Sequence, residues 1–210
     1  MKILLTGASG MIGSRILAEA VARGHSVTAV ARNAGRIAAG PGVTVVEADA
    51  NDAAELIPLA QEADAYVSAL SSRSGGDPKA ETLAWGQAAI AAARASGVRF
   101  VLVGGAGTTL LPDGTPVLSV VPEMYRAEAA AMVDMRDLLQ ESGIDWTFFA
   151  PAGTIAPGVR TGNFRVQADY LVQNAKGEST ISAEDYAVAM VNELEAPAFK
   201  GKVMTIGYTA

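Results

Sequence analysis

Along this chain, short apolar runs alternate with segments whose apolar residues recur every three or four positions. Residues 2–6 form the first run and stop at Gly7, after which Ile12, Ile16, Leu17, Ala20 and Val21 share one helical face until Gly24. Further runs at 26–31, 43–47 and 65–70 predict strands, with helical segments at 53–63 and 80–95. Strands at 99–103 and 146–150 bracket a helix whose apolar face is read as Ala127, Ala131, Met135 and Leu138. Strands that alternate with helices pair in parallel through right-handed crossovers, so the pattern predicts an α/β fold. It is a doubly wound parallel sheet with helices on both faces.

Beyond Ala150 the rhythm changes. A Gly- and Pro-containing stretch at 151–162 leads to a short strand at 163–167 and a final helix, then a last strand at 202–208. Ser182 and Asp185 stand in capping-box spacing ahead of Ala187, Met190, Val191 and Leu194, so that helix is expected to dock on the sheet. This tail is too small for a core of its own. The reading is a single domain over 1–210, in which 151–210 is a small C-terminal extension completing the sheet and the substrate pocket. Residues 101–122, rich in Gly and Pro, read as a strand followed by a loop.

The length of 210 residues fits one core, below the roughly 250 to 300 residues at which cores stop growing. Lys and Arg number 16 against 22 Asp and Glu, a formal net charge of −6 with no basic cluster, which argues against a nucleic-acid partner. Cys-based and multi-His metal sites are excluded by the absence of Cys and by a single histidine, His25, read as a solvated loop residue. The apolar run at 2–6 is too short for a signal-peptide core, and no stretch has the pattern of a spanning helix. The expectation is a cytoplasmic monomer or homodimer acting on a small molecule, with no membrane partner.

Gly7, Gly10 and Gly13 lie between the first strand and first helix, with Ser9, Met11 and Ile12 among them. A dinucleotide pyrophosphate needs that close backbone approach and the free N–H groups of a helix start. At the end of the second strand, where a cofactor lacking the ribose 2′-phosphate meets an Asp or Glu, stand Arg32 and Asn33, with Arg36 a turn later. Guanidinium groups there suit a phosphate, so NADP(H) is expected over NAD(H). Asp49, with Ala50 beside it, is a candidate partner of the adenine amino group or, together with Asn51, a plain helix cap.

Ligands sit at the carboxyl ends of strands in such sheets, which places Leu70, Ser71 and Ser72, then Gly104, Gly105 and Ala106, then Pro151 and Ala152, around the nicotinamide half. The same serines and glycines also suit plain capping and turning. Thr108, Gly153, Thr154 and Tyr125 are candidates for the substrate side, and Tyr125 is the one hydroxyl considered for a catalytic contact. The Tyr and Lys relay of short-chain dehydrogenases is absent: Tyr66, Tyr125, Tyr170, Tyr186 and Tyr208 all lack a Lys four residues on.

Five segments together carry a resemblance: TGASGMIG at 6–13, VGGAG at 103–107, DWTFFAPA at 145–152, PGVRTGNFR at 157–165 and ISAEDYA at 181–187. They resemble the bacterial NADH-flavin reductase-like group of atypical short-chain dehydrogenase relatives, an NAD(P)H-binding family akin to NmrA. The resemblance implies a Rossmann-type domain with its substrate pocket between the loops after Gly105 and Pro151 and the tail. It implies an NAD(P)H-dependent reductase of a flavin (FMN or FAD as substrate), quinone or similar planar acceptor. The alternatives are an NmrA-type redox sensor that binds NADP(H) without catalysis, and a specialised-metabolite reductase or isomerase. Where flavin- and biliverdin-reducing relatives carry a serine and a histidine, this chain has Gly104, Gly105 and Ala106, then Pro151, Ala152 and Gly153.

Overall fold

The computed structural model describes residues 1–72 and 75–210. Its central sheet has eight strands in the order β3-β2-β1-β4-β5-β6-β10-β8. In chain order these are β1 (Lys2–Thr6), β2 (Ser26–Ala31), β3 (Val43–Glu47), β4 (Ala65–Ser68), β5 (Arg99–Val103), β6 (Trp146–Ala150), β8 (Arg165–Ala168) and β10 (Lys202–Gly207). Neighbours run parallel except at one edge, where β8 lies antiparallel to β10. The order reverses at β1, which pairs with β2 on one side and β4 on the other, so a crevice opens at the carboxyl ends of β1 and β4.

Two apolar layers sandwich the sheet. Ile3 and Leu5 face α1 (Met11–Ala22) and α5 (Ala183–Glu195), whereas Leu4 faces α2 (Ala53–Gln61), α3 (Pro78–Ser96) and α4 (Glu123–Glu141). The period-two alternation of strand side chains sorts them into these layers. Because α1 packs on α5, a helix of the tail lies directly beside the helix that follows the glycine turn.

Several elements depart from the sequence reading. Strand β4 ends at Ser68, two residues early, because the Ala69 N–H makes the last bond to the Thr6 carbonyl and the chain then passes over Gly7. The buried face of α4 is Ala131, Met132, Met135 and Leu139. Ala127 is exposed, since the first turns of α4 stand clear of the sheet. Residues 104–122 form more than a loop: tight helical turns at Ala106–Thr108 and Val117–Val120 fold them back onto α4. The tail holds a separate parallel pair, β7 (Thr154–Ala156) with β9 (Thr180–Ser182), too short for an alternating pattern to betray. His25 is buried and not solvated, 9% exposed, with Nε2 2.9 Å from Glu195 Oε1, because α5 covers the turn that holds it.

Candidate functional site

Glycine is required in the first turn for two separate reasons. Gly7 has φ of +79°, and a Cβ there would lie 2.5 Å from the Ala69 carbonyl carbon. A Cβ on Gly13 would fall on the Gly7 carbonyl oxygen, so α1 can start only this close to β1 without a side chain. Gly10 differs. It caps α1 with ordinary extended geometry, and a Cβ would meet only the Gly7 oxygen, at 3.3 Å, leaving its outer side open.

The N-terminus of α1 is bare. Gly10 offers no side-chain cap, the first turn has no acidic residue, and the N–H groups of Met11, Ile12 and Gly13 find no acceptor among the described residues. Three converging donors at the positive end of a helix dipole, beside an open glycine, fit a dinucleotide pyrophosphate. Ser9, Gly10 and Met11 are exposed around them and Ile12 is half-buried.

Arg32 and Arg36 are both exposed at the carboxyl end of β2, and neither pairs with a carboxylate among the described residues. Asn33 between them caps the turn at Ala34–Arg36 by accepting the Gly35 N–H at 3.1 Å. Asp49 is exposed and Ala50 half-buried. Asp49 Oδ1 accepts from the backbone N–H and the side-chain amide of Asn51. The cap of α2 is Asp52, so Asp49 is not the helix cap and holds the turn before it.

At the end of β4, Leu70 is half-buried and Ser71 exposed, whereas Ser72 is buried with its hydroxyl against that of Thr82 on α3. Gly104, Gly105 and Ala106 are half-buried after β5. Thr108 Oγ1 donates to the Gly105 carbonyl at 2.8 Å, so its hydroxyl braces its own turn. After β6, Pro151 and Ala152 are buried, Gly153 and Thr154 are exposed, and the Gly153 N–H donates to Ser179 Oγ at 3.0 Å. Tyr125, in the first turn of α4, is 51% exposed. The three loops therefore present no ionisable side chain of their own at Leu70 to Ser72, Gly104 to Ala106 or Pro151 to Thr154.

A strap that sequence reasoning missed lies beside this crevice. Residues 157–163 run back over the groove between α1 and α5, and carboxylates fix them at three points. Arg160 donates to both oxygens of Glu19 at 2.8 and 2.9 Å, Glu184 accepts the Gly158 N–H at 2.7 Å, and Asp185 accepts the N–H groups of Thr161 and Gly162 at 2.8 Å each. Arg15 on α1 completes the set by pairing with Glu184 at 3.0 Å. The Arg160 guanidinium, helped by Arg23 against the cost of burial, holds the Glu19 carboxyl down at about 2. Burial works against ionisation of Asp185, but bonds from Thr161, Gly162 and Tyr208 outweigh it and keep its carboxyl below the ordinary range. The sequence signals for this device were the spacing of Ser182 and Asp185 and the segments 157–165 and 181–187, which carried the resemblance without showing that they clamp each other. Ser182 does cap α5 by accepting the Asp185 N–H at 3.0 Å, but the Asp185 carboxylate turns to the strap instead of closing the box.

Comparison with known proteins agrees with this geometry. A Burkholderia pseudomallei structure provisionally described as an exported protein is 42% identical, with a TM-score of 0.88 over 99% of this chain and 100% of that one. A Bacteroides thetaiotaomicron structure provisionally named an epimerase is 38% identical, with a TM-score of 0.91 over 100% and 97%. A Streptococcus pneumoniae structure provisionally named an NADH-flavin reductase is 29% identical, with a TM-score of 0.84 over the whole of both chains. No helix among the described residues is long and apolar enough to cross a membrane. The model of the NAD(P)H-binding family matches residues 7–197, from the first glycine of the turn to the end of the tail's helix, and the chain belongs to that family.

Proposed function

We propose that this protein is an NADPH-dependent reductase that delivers hydride to a planar acceptor such as a flavin or a quinone. The observation that carries the reading is the bare N-terminus of α1 together with two exposed guanidinium groups just past the end of the neighbouring strand, Arg32 and Arg36, which pair with no carboxylate among the described residues. In this reading the turn from Gly7 to Gly13 holds the pyrophosphate and Arg32 with Arg36 holds the 2′-phosphate. Asp49 and Ala50 face the adenine, and Leu70, Ser71, Gly104, Gly105, Pro151 and Ala152 wall the nicotinamide half. Ser72 and Thr108 shape those walls, since their hydroxyls are already engaged.

When bound, the reduced nicotinamide supplies the hydride. The chain's task is to stack and orient two planar groups and to exclude water around them, because Leu70 to Ser72, Gly104 to Ala106 and Pro151 to Thr154 offer no acid or base. Solvent supplies the proton. The Streptococcus relative's name supports reductase chemistry. Epimerase chemistry needs a proton-transfer group in the cleft, which those loops lack. The same lack favours, as a second reading, an NADP(H)-binding sensor of the NmrA type.

A turnover assay separates the two. With NADPH in excess, loss of reduced-nicotinamide absorbance on adding 2-methyl-1,4-naphthoquinone or riboflavin is the expected result. Protein that binds NADPH tightly yet leaves it reduced with both acceptors is a sensor.

A further inference from the structure

Beside the strap lies a shallow, open cleft of about 380 Å³. Its walls include Thr154, Pro157, Val159, Thr180, Ile181 and Tyr208. It lies at the carboxyl end of the sheet, where Thr154 follows the loop that leaves β6 and Tyr208 follows the parallel strand β10.

Four observations bear on the chemistry of its occupant. Among the described residues, none that lines the cavity is charged. Thr154 and Thr180 face each other in register across β7 and β9, and neither hydroxyl has a partner among the described residues. Among the described residues the nearby cations are committed, Arg15 to Glu184 and Arg160 to Glu19. Asp185, by contrast, is an ionised carboxylate held mainly by neutral donors, among them Tyr208 Oη at 2.7 Å and the hydroxyl and N–H of Thr161, both residues of the cavity wall. The wall is therefore apolar, edged with hydroxyl donors and backed by negative charge, which disfavours a phosphate or carboxylate.

We propose that this cavity takes an uncharged ring bearing carbonyl oxygens, a quinone, and discriminates against acceptors that carry a phosphate, such as FMN. The inference rests on the reductase reading and narrows its acceptor. A hydride from the reduced nicotinamide carries two electrons and one proton's worth of hydrogen to the quinone. One proton from water completes the hydroquinone, and the dinucleotide leaves oxidised.

The test is calorimetry on protein saturated with NADP⁺, using 2-methyl-1,4-naphthoquinone, riboflavin and FMN as probes, with NADPH turnover recorded in parallel. Riboflavin and FMN share one ring system and differ by the phosphate. The quinone and riboflavin are expected to bind, and FMN to bind at least about tenfold more weakly than riboflavin. Thr180→Lys, at an exposed position, is expected to raise FMN affinity relative to riboflavin by about tenfold. Unchanged NADP⁺ affinity then reports an intact fold. FMN binding as tightly as riboflavin overturns the proposal, as does a Thr180→Lys protein with an unaltered preference. If no probe binds although NADP⁺ does, the cavity is not the acceptor site. Turnover in that case leaves the reductase reading standing, and no turnover removes it as well.

Discussion

Arg160 and Glu19 sit 141 residues apart in sequence and form a two-pronged ion pair of 2.8 and 2.9 Å that ties the strap to the helix following the glycine turn. Glu19 is buried, so its ionised form depends on this partner. A carboxyl held at about 2 when folded, against an ordinary 4.5, stabilises the fold fully only above the unfolded value. That stability is lost as pH falls from about 4.5 toward 2. Glu19→Gln is expected to cost about 2 to 3 kcal/mol at neutral pH and little at the acid end. Urea midpoints measured across pH 2 to 7 check this; a constant difference between the two proteins contradicts it.

The proposed preference for NADPH rests on Arg32. Charge-assisted bonds to a 2′-phosphate are worth roughly 1.5 to 3 kcal/mol, about ten- to a hundredfold in affinity for NADPH over NADH. Arg32→Asp, at an exposed strand end, should erase or invert that preference without unfolding the protein. Equal dissociation constants for the two cofactors in the unaltered protein would show that Arg32 faces only solvent.

Gly10 is the glycine whose outer side is open, and its φ of −78° suits any residue. On the proposed reading a Val side chain there fills the space of the pyrophosphate, and its Cβ, 3.3 Å from the Gly7 carbonyl oxygen, asks only a small shift of the turn. Gly10→Val should therefore fold, by circular dichroism and thermal midpoint, and lose dinucleotide binding. Retained affinity would place the cofactor elsewhere.

How far the sequence foretold this arrangement depends on the length scale of each signal. The run 2–6, its glycine turn and the helix face through Ile16 and Ala20 are local, and they appear in the structure as β1 and α1. Parallel pairing was legible for the same reason, since alternation alone forces it. The antiparallel edge at β8, the β7 and β9 pair, and the burial of His25 all depend on where the tail lands, which no local period encodes. The anchorage of the strap was unreadable for a related reason, although its segment 157–165 stood out: Glu19 looks like any surface residue of an amphipathic helix until Arg160 arrives from far along the chain.

Tyr125 stands half-exposed in the first turn of α4. With no ionisable side chain at Leu70 to Ser72, Gly104 to Ala106 or Pro151 to Thr154, hydride transfer should vary little with pH. Tyr125→Phe should lower turnover by less than about tenfold, under roughly 1.4 kcal/mol of barrier. A loss of a thousandfold, or a bell-shaped profile that the variant abolishes, would reveal a proton donor and point to a carbonyl or imine substrate.

The claim that this family member is a reductase and not a sensor is tested most directly by a single turnover of protein-bound NADPH carrying deuterium on one face or the other of its nicotinamide C4. With 2-methyl-1,4-naphthoquinone as acceptor, the account predicts oxidation of the bound cofactor, slowed severalfold by deuterium on one face and unaffected by deuterium on the other, because a fixed cleft presents a single face to the acceptor. Bound NADPH that stays reduced, or a rate indifferent to deuterium on both faces, contradicts it.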